Sequence, residues 1–199
     1  MARTDILIYA EDPGAANFVA GLPCAIRQRG LRATMLANGK AVEQLEALNE
    51  AFEPLLATGD IGGLLDEISP RLLVVGTSEN ANSPAFALID RARQIGISSV
   101  GLVDGPANAD LRFRGCTGQA LGHAPDWIIV ADEIVRSKFL ALGARSDHLL
   151  VSGHPRYDAV LEQGKSLAMC NREVLRRRHF ASVPAGEKIV VFLSELSDG

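Results

Sequence analysis

Four short polar stretches carry the residue types that chemistry needs. Glu11-Asp12-Pro13-Gly14-Ala15-Ala16-Asn17 follows the first apolar run, Thr77-Ser78-Glu79-Asn80 a later one, and Asp104-Gly105-Pro106, with Arg112 farther on, the next. The fourth is Gly153-His154-Pro155-Arg156-Tyr157-Asp158. Carboxylates gathered in one cleft perturb one another's proton affinity, which suits Glu11, Asp12, Glu79 and Asp104 to proton transfer. Gly14 permits a tight turn into a helix whose free N–H groups, near Asn17, favour an anion or a sugar hydroxyl. Arg156 offers a planar fork of donors for phosphate or carboxylate, and Gly153 and Pro155 fix the loop that carries His154.

Each stretch also has a plainer reading. Asp12 is equally readable as a helix cap, a single carboxylate as a loop charge, and Arg156 with Asp158 as a local ion pair opening the next helix. Neither GxGxxG after the first strand nor GxxxxGK[ST] anywhere occurs, which removes the main support for dinucleotide and P-loop chemistry. His123, His148 and His179 have no ligand spacing to one another or to a cysteine, so no metal is expected. Arg176-Arg177-Arg178 reads as a solvated helix face.

The residues around these stretches must position them. Apolar runs recur at Ile6 to Tyr9, Ala33 to Ala37, Leu72 to Val75, Val100 to Val103, Trp127 to Val130, Leu149 to Val151 and Ile189 to Leu193. Most are apolar at consecutive positions, as strands covered on both faces must be, and that is the habit of parallel sheets. Helical stripes lie between them, one of Ala85, Leu88, Ile89, Ala92 and Ile95, another of Val135, Phe139 and Leu142. Gly30, Gly96 and Gly143 each stand between such a segment and the next strand, where a left-handed residue ends a helix. The repeat of strand, helix, glycine and strand predicts an α/β, Rossmann-like, doubly wound parallel sheet over residues 1–158. Phe52 to Ala57 is readable as a short strand, and Gly62-Gly63 weakens any helix after it. In such a sheet ligands bind beyond the carboxyl ends of the strands, where the four polar stretches fall.

Residues 159–187 read as a charged helix and a linker ending in Ser182-Val183-Pro184-Ala185-Gly186. Residues 188–199 then open a fresh apolar strand with nothing after it to cover it, so a second α/β domain, truncated here or supplied by another chain, is expected.

The composition excludes several classes. With 199 residues, 47 % of them hydrophobic and 22 % charged, the chain can bury a substantial core and has no disordered character. The formal net charge of -4 provides no positive field for nucleic acid or anionic membrane. No apolar run is long enough for a secretory leader or a membrane span. Three cysteines, Cys24, Cys116 and Cys170, form no disulfide framework, which fits a reducing, cytoplasmic setting.

The sequence resembles the N-terminal domain of GT-B-type glycosyltransferases and of the related UDP-N-acetylglucosamine 2-epimerases. The similar features are Thr77-Ser78-Glu79-Asn80 before a helix, Val103-Asp104-Gly105 with Arg112, and Ser152 to Asp158, which looks like the Gly-Asn/His-Pro-x-x-Asp stretch closing the first domain of these enzymes. Phe192-Leu193-Ser194-Glu195 is similar to the opening strand of their second domain. The resemblance implies the acceptor-side half of a nucleotide-sugar-dependent glycosyltransferase of polysaccharide or glycoconjugate biosynthesis, with Asp12 as the leading base. It implies a nucleotide-sugar as substrate, a small-molecule or glycan acceptor, and no further cofactor. The epimerase alternative shifts the acid and base roles to Glu79 and Asp104. A non-catalytic nucleotide- or sugar-binding module is the remaining alternative.

Overall fold

The computed structural model describes residues 4–55, 61–184 and 186–192. They divide into two compact units, Met1–Asp158 and Ala159–Gly199.

The first unit is built on seven parallel strands: β1 (Ile6–Ala10), β2 (Ala33–Ala37), β3 (Glu53–Pro54), β4 (Leu72–Gly76), β5 (Ser98–Val103), β6 (Trp127–Val130) and β7 (Leu149–Val151). Their order is β3-β2-β1-β4-β5-β6-β7, so the winding reverses between β1 and β4. Ile6 lies beside Ala33 on one side and Leu72 on the other, which sets the register at this switch point. The consecutive apolar residues have the predicted cause. Leu7 and Tyr9 enter one core layer with Leu73, Leu88 and Phe139, whereas Ile8 and Ala10 enter a second with Val19, Met35 and Leu45. Each fully buried large side chain of these layers stabilises by about 1.5–3 kcal/mol.

The helices are α1 (Pro13–Val19), α2 (Leu22–Gln28), α3 (Lys40–Ala47), α4 (Ile61–Ile68), α5 (Pro84–Ile95) and α6 (Glu133–Ala141). Most of their expected stripes are buried: α5 buries Ala85, Leu88, Ile89 and Ala92 but leaves Ile95 exposed at its last position, and α6 buries Val135 and Phe139, with Leu142 after it partly buried against the core. Gly30, Gly96 and Gly143 adopt positive φ after their helices, as the punctuation predicted.

Two expectations change. Gly62-Gly63 does not prevent α4, because Leu65 is fully buried and tertiary burial outweighs the cost of about 1 kcal/mol per glycine. The strand expected over Phe52 to Ala57 is reduced to Glu53–Pro54 at the sheet edge, and Leu56 and Ala57 lie outside the described residues.

Helix α7 (Arg156–Ala168) begins at the end of the first unit, and α8 (Arg172–His179) lies in the second. Asn171 caps α8 by accepting from the Glu173 amide at 2.8 Å. Arg177 and Arg178 are exposed as expected, but Arg176 donates to the Pro184 and Glu187 carbonyls at 2.8 Å each. The apolar stretch from Ile189 forms no strand over 189–192: among the described residues it has no partner strand, and Val190 and Phe192 stand 90 % and 88 % exposed. Leu193, Ser194 and Glu195 lie outside the described residues.

Candidate functional site

The parallel sheet brings the four polar stretches to one edge, because β1, β4, β5 and β7 all end there. Across the switch point Asn80 Nδ2 donates to Glu11 Oε1 at 2.6 Å, joining the loops after β1 and β4. Thr77 and Ser78 are buried beneath this contact; the Thr77 hydroxyl donates to the Leu102 carbonyl at 3.2 Å and the Ser78 hydroxyl accepts from the Asn80 amide at 3.0 Å. They shape the loop.

The loop after β5 returns Arg112 to the same place. Its buried guanidinium stands 3.5 Å from Glu79 Oε1 and 3.5 Å from Asp104 Oδ1, and its Nε donates to the Ala107 carbonyl at 3.3 Å. Arg112 thus lies between the two candidate carboxylates, both partly open to solvent. Asn108, at φ 49°, donates from Nδ2 to Glu79 Oε2 at 2.9 Å.

Asp104 also reaches the start of α1, where a Cβ added at Gly14 would collide with its Oδ2. Gly14 is therefore needed for the close approach of the Asp104 carboxylate to the start of α1. Helix α1 has only seven residues, and Asp12 at its N-cap position makes no side-chain capping bond. Asp12 is half-buried with its carboxylate uncommitted to the cap. A second close approach, Gly76 against Ala15, lets α1 settle on β4.

At the end of β7 the His154 ring lies against Phe18 and Tyr157, and Arg156 Nη1 donates to Asn17 Oδ1 at 3.1 Å. Arg156 binds α1 and not Asp158, which departs from the local ion pair weighed in the sequence. His154 is held below the ordinary histidine range, chiefly by burial and further by Arg156, while Asp104 acts in the opposite direction.

Beneath the rim, Tyr9 donates its hydroxyl to Asn38 Oδ1 at 2.7 Å. Burial, reinforced by the charge of Glu11, pushes this phenol well above its ordinary range, so it is a neutral donor. Glu11 itself is 8 % exposed, and its Oε2 has no hydrogen-bond partner among the described residues. Asp104 Oδ1 is likewise buried without a hydrogen bond, facing Arg112 at 3.5 Å. Glu11 orients Asn80 through its Oε1.

Tyr9, Asn38 and Asn108 were not read from the sequence. Asn38-Gly39 directly after the second apolar run was a usable signal by the same strand-end rule; Tyr9 sits inside a strand and gave none. No group of three or more metal-ligating side chains converges among the described residues. A separate pocket of about 190 Å³, lined in part by Leu121, Ile128, Ala144 and His148, lies at the opposite, amino edge.

No family model matches the sequence, and a comparison with curated proteins found no match. Solved structures do resemble it. UDP-GlcNAc 2-epimerase from Neisseria meningitidis, bound to UDP-GlcNAc, superposes with a TM-score of 0.63 at 13 % identity over 92 % of this chain and 55 % of its own. The UDP-GlcNAc 2-epimerase of Methanocaldococcus jannaschii gives 0.60 at 17 % identity over 89 % and 53 %. A glycosyltransferase from Rickettsia africae gives 0.58 at 11 % identity over 94 % and 51 %. The chain spans about half the length of these proteins, and what it shares with them is the Rossmann-like fold.

Proposed function

We propose that this chain is the acceptor-side half of a nucleotide-sugar-dependent glycosyltransferase acting in polysaccharide or glycoconjugate assembly. The observation that carries the reading is Arg112 standing between Glu79 and Asp104 at the carboxyl edge of the sheet, with Asp104 reaching Gly14 in the helix that Asp12 opens, on a fold shared with a glycosyltransferase and with epimerases of a nucleotide-sugar. Asp12, uncommitted to the helix cap, takes the proton of an acceptor hydroxyl. The hydroxyl oxygen then bonds to the anomeric carbon, the bond from that carbon to the diphosphate oxygen breaks, and the nucleoside diphosphate departs with its electron pair. Glu79, Asn80 and Asp104 line the acceptor, while His154 and Arg156 line its outer rim.

The nucleotide-sugar belongs to a second domain, which residues 188–199 are proposed to open; the exposed apolar side chains of Val190 and Phe192 suit a strand that needs covering. Free, exposed cysteines suit a cytoplasmic setting, and no described helix is long and apolar enough to cross a membrane. The chemistry drawn here uses neither metal nor further cofactor.

The test is transfer from a nucleotide-sugar by the enzyme carrying this chain. Asp12→Asn is expected to lower turnover at least about 10²-fold at unchanged melting temperature; unaltered turnover removes Asp12 from the mechanism. The likeness to two UDP-GlcNAc 2-epimerases favours one other reading, in which Glu79 and Asp104 move a proton at a sugar carbon. Deuterium entering a UDP-sugar from deuterated buffer without an acceptor selects the epimerase.

A further inference from the structure

The segment Gly153–Asp158 is fastened to α1 at two points, His154 on Phe18 and Arg156 on Asn17, and the histidine ties the two together. Gly153, at φ 77°, turns the chain out of β7 and delivers His154 onto Phe18, with ring centroids 4.7 Å apart. The imidazole also stacks on Tyr157, with ring centroids 5.0 Å apart and an interplanar angle of 20°. His154 Nδ1 accepts from the Arg156 amide at 3.2 Å, and its carbonyl accepts from the Tyr157 amide at 2.9 Å, so this residue holds the first turn of α7. Arg156, fixed in that turn, donates to Asn17 Oδ1, which also accepts from Gln44 Nε2 at 2.9 Å.

We propose that His154 is a pH-gated positioning residue: as a neutral imidazole it latches the start of α7 to α1 and holds Arg156 on the rim, and its protonation releases the latch. The chemistry follows from the ring nitrogens. An Nδ1 that accepts places the proton of the neutral ring on Nε2. Protonation turns Nδ1 into a donor facing the Arg156 N–H, which breaks that bond, and it adds a cation at a helix start, where the dipole is unfavourable to it.

The charged groups facing the ring act in both directions. Asp104, after β5, favours the protonated form and Arg156 on α7 opposes it, while the rings packed against the imidazole are Phe18 of α1, which carries no charge, and the phenol of Tyr157 on α7. Burial is the largest influence and favours the neutral ring. With its folded value depressed below 6.5, the latch is fully made above that pH and is lost as pH falls through the folded value.

The latch does not depend on which ligand the rim takes, so its test uses the free chain. Imidazole and amide nitrogen spectra recorded from pH 8 to pH 5 are expected to show His154 protonated at Nε2, with a midpoint below 6.5. The Arg156 amide and the Asn17 side-chain amide should shift with that same midpoint. His154→Asn keeps an acceptor for the Arg156 amide but cannot titrate, so the shared step should vanish while the amide spectrum stays folded. A proton on Nδ1, a midpoint at or above 6.5, or a step that persists in His154→Asn overturns the proposal, whatever reaction the site performs.

Discussion

The two edges of the sheet treat their polar residues differently. At the amino edge the pairings are complete: Asp126 Oδ2 accepts from the Ser99 amide at 2.8 Å and from its hydroxyl at 3.1 Å, and the Asp126 amide donates back to that hydroxyl at 3.1 Å. Asp5 likewise accepts from the Arg32 amide at 2.9 Å, and the Thr4 and Thr34 hydroxyls share a hydrogen bond of 2.8 Å. At the carboxyl edge Asp12 does not cap its helix, Glu11 Oε2 and Asp104 Oδ1 have no hydrogen-bond partner among the described residues, and Arg112 meets its carboxylates only at 3.5 Å. Satisfied polar groups close strands, whereas a buried polar atom without a partner calls for an explanation such as strain, catalysis or a bound ligand.

Substitutions can break or sharpen this contrast. The largest expected effect is Asp12→Asn in the enzyme carrying this chain, a loss of at least about 10²-fold in turnover with the melting temperature held. Asp126→Ala should do the reverse. It leaves the amide of Ser99, which is 2 % exposed, without its acceptor, and denaturant titration should show a loss of about 1–3 kcal/mol while transfer persists. If Asp126→Ala instead costs activity at full stability, the division between the edges fails.

Glu11→Gln should change stability by less than about 1 kcal/mol, and in the favourable direction. It removes a buried charge that takes part in none of the ion pairs among the described residues, while its remaining oxygen can still accept from Asn80. A marked loss in thermal melts would show that the carboxylate charge itself is needed.

The smallest effects concern pH, and the edges should supply opposite limbs. Asp5 is held below its ordinary value, first by the Arg32 amide, so its contribution is present above pH 3.8 and is lost as pH falls through the lowered value. Tyr9 is pushed up, so the unfolded chain releases its proton first, and stability falls as pH rises past about 10. Asp5→Asn should flatten the acid limb of a melting profile and Tyr9→Phe the alkaline one; an alkaline limb unchanged in Tyr9→Phe would deny the phenol its buried neutral state.

Much of this was legible before the structure. The runs at Ala33 to Ala37, Trp127 to Val130 and Leu149 to Val151 coincide with β2, β6 and β7, although β7, at the sheet edge, buries only Leu149 and leaves Leu150 and Val151 exposed. The polar stretches fell at strand ends because parallel strands all terminate on the same side. The residues that tune the site were less visible: nothing in the composition of β1 marks the Tyr9 hydroxyl for Asn38, and nothing in the loop after β5 separates Asn108 from its neighbours.

By itself, then, the sequence determined six of the seven strands and which loops carry carboxylates, since apolar periodicity is a local property. Only the tertiary structure decided which of those carboxylates find partners. Strand order places β4 beside β1, bringing Asn80 to Glu11 across 69 residues of chain, and the return of the loop after β5 places Arg112 between Glu79 and Asp104. A hydrogen bond requires its two atoms within about 3 Å, and that proximity is fixed by packing among distant segments, which no local pattern encodes.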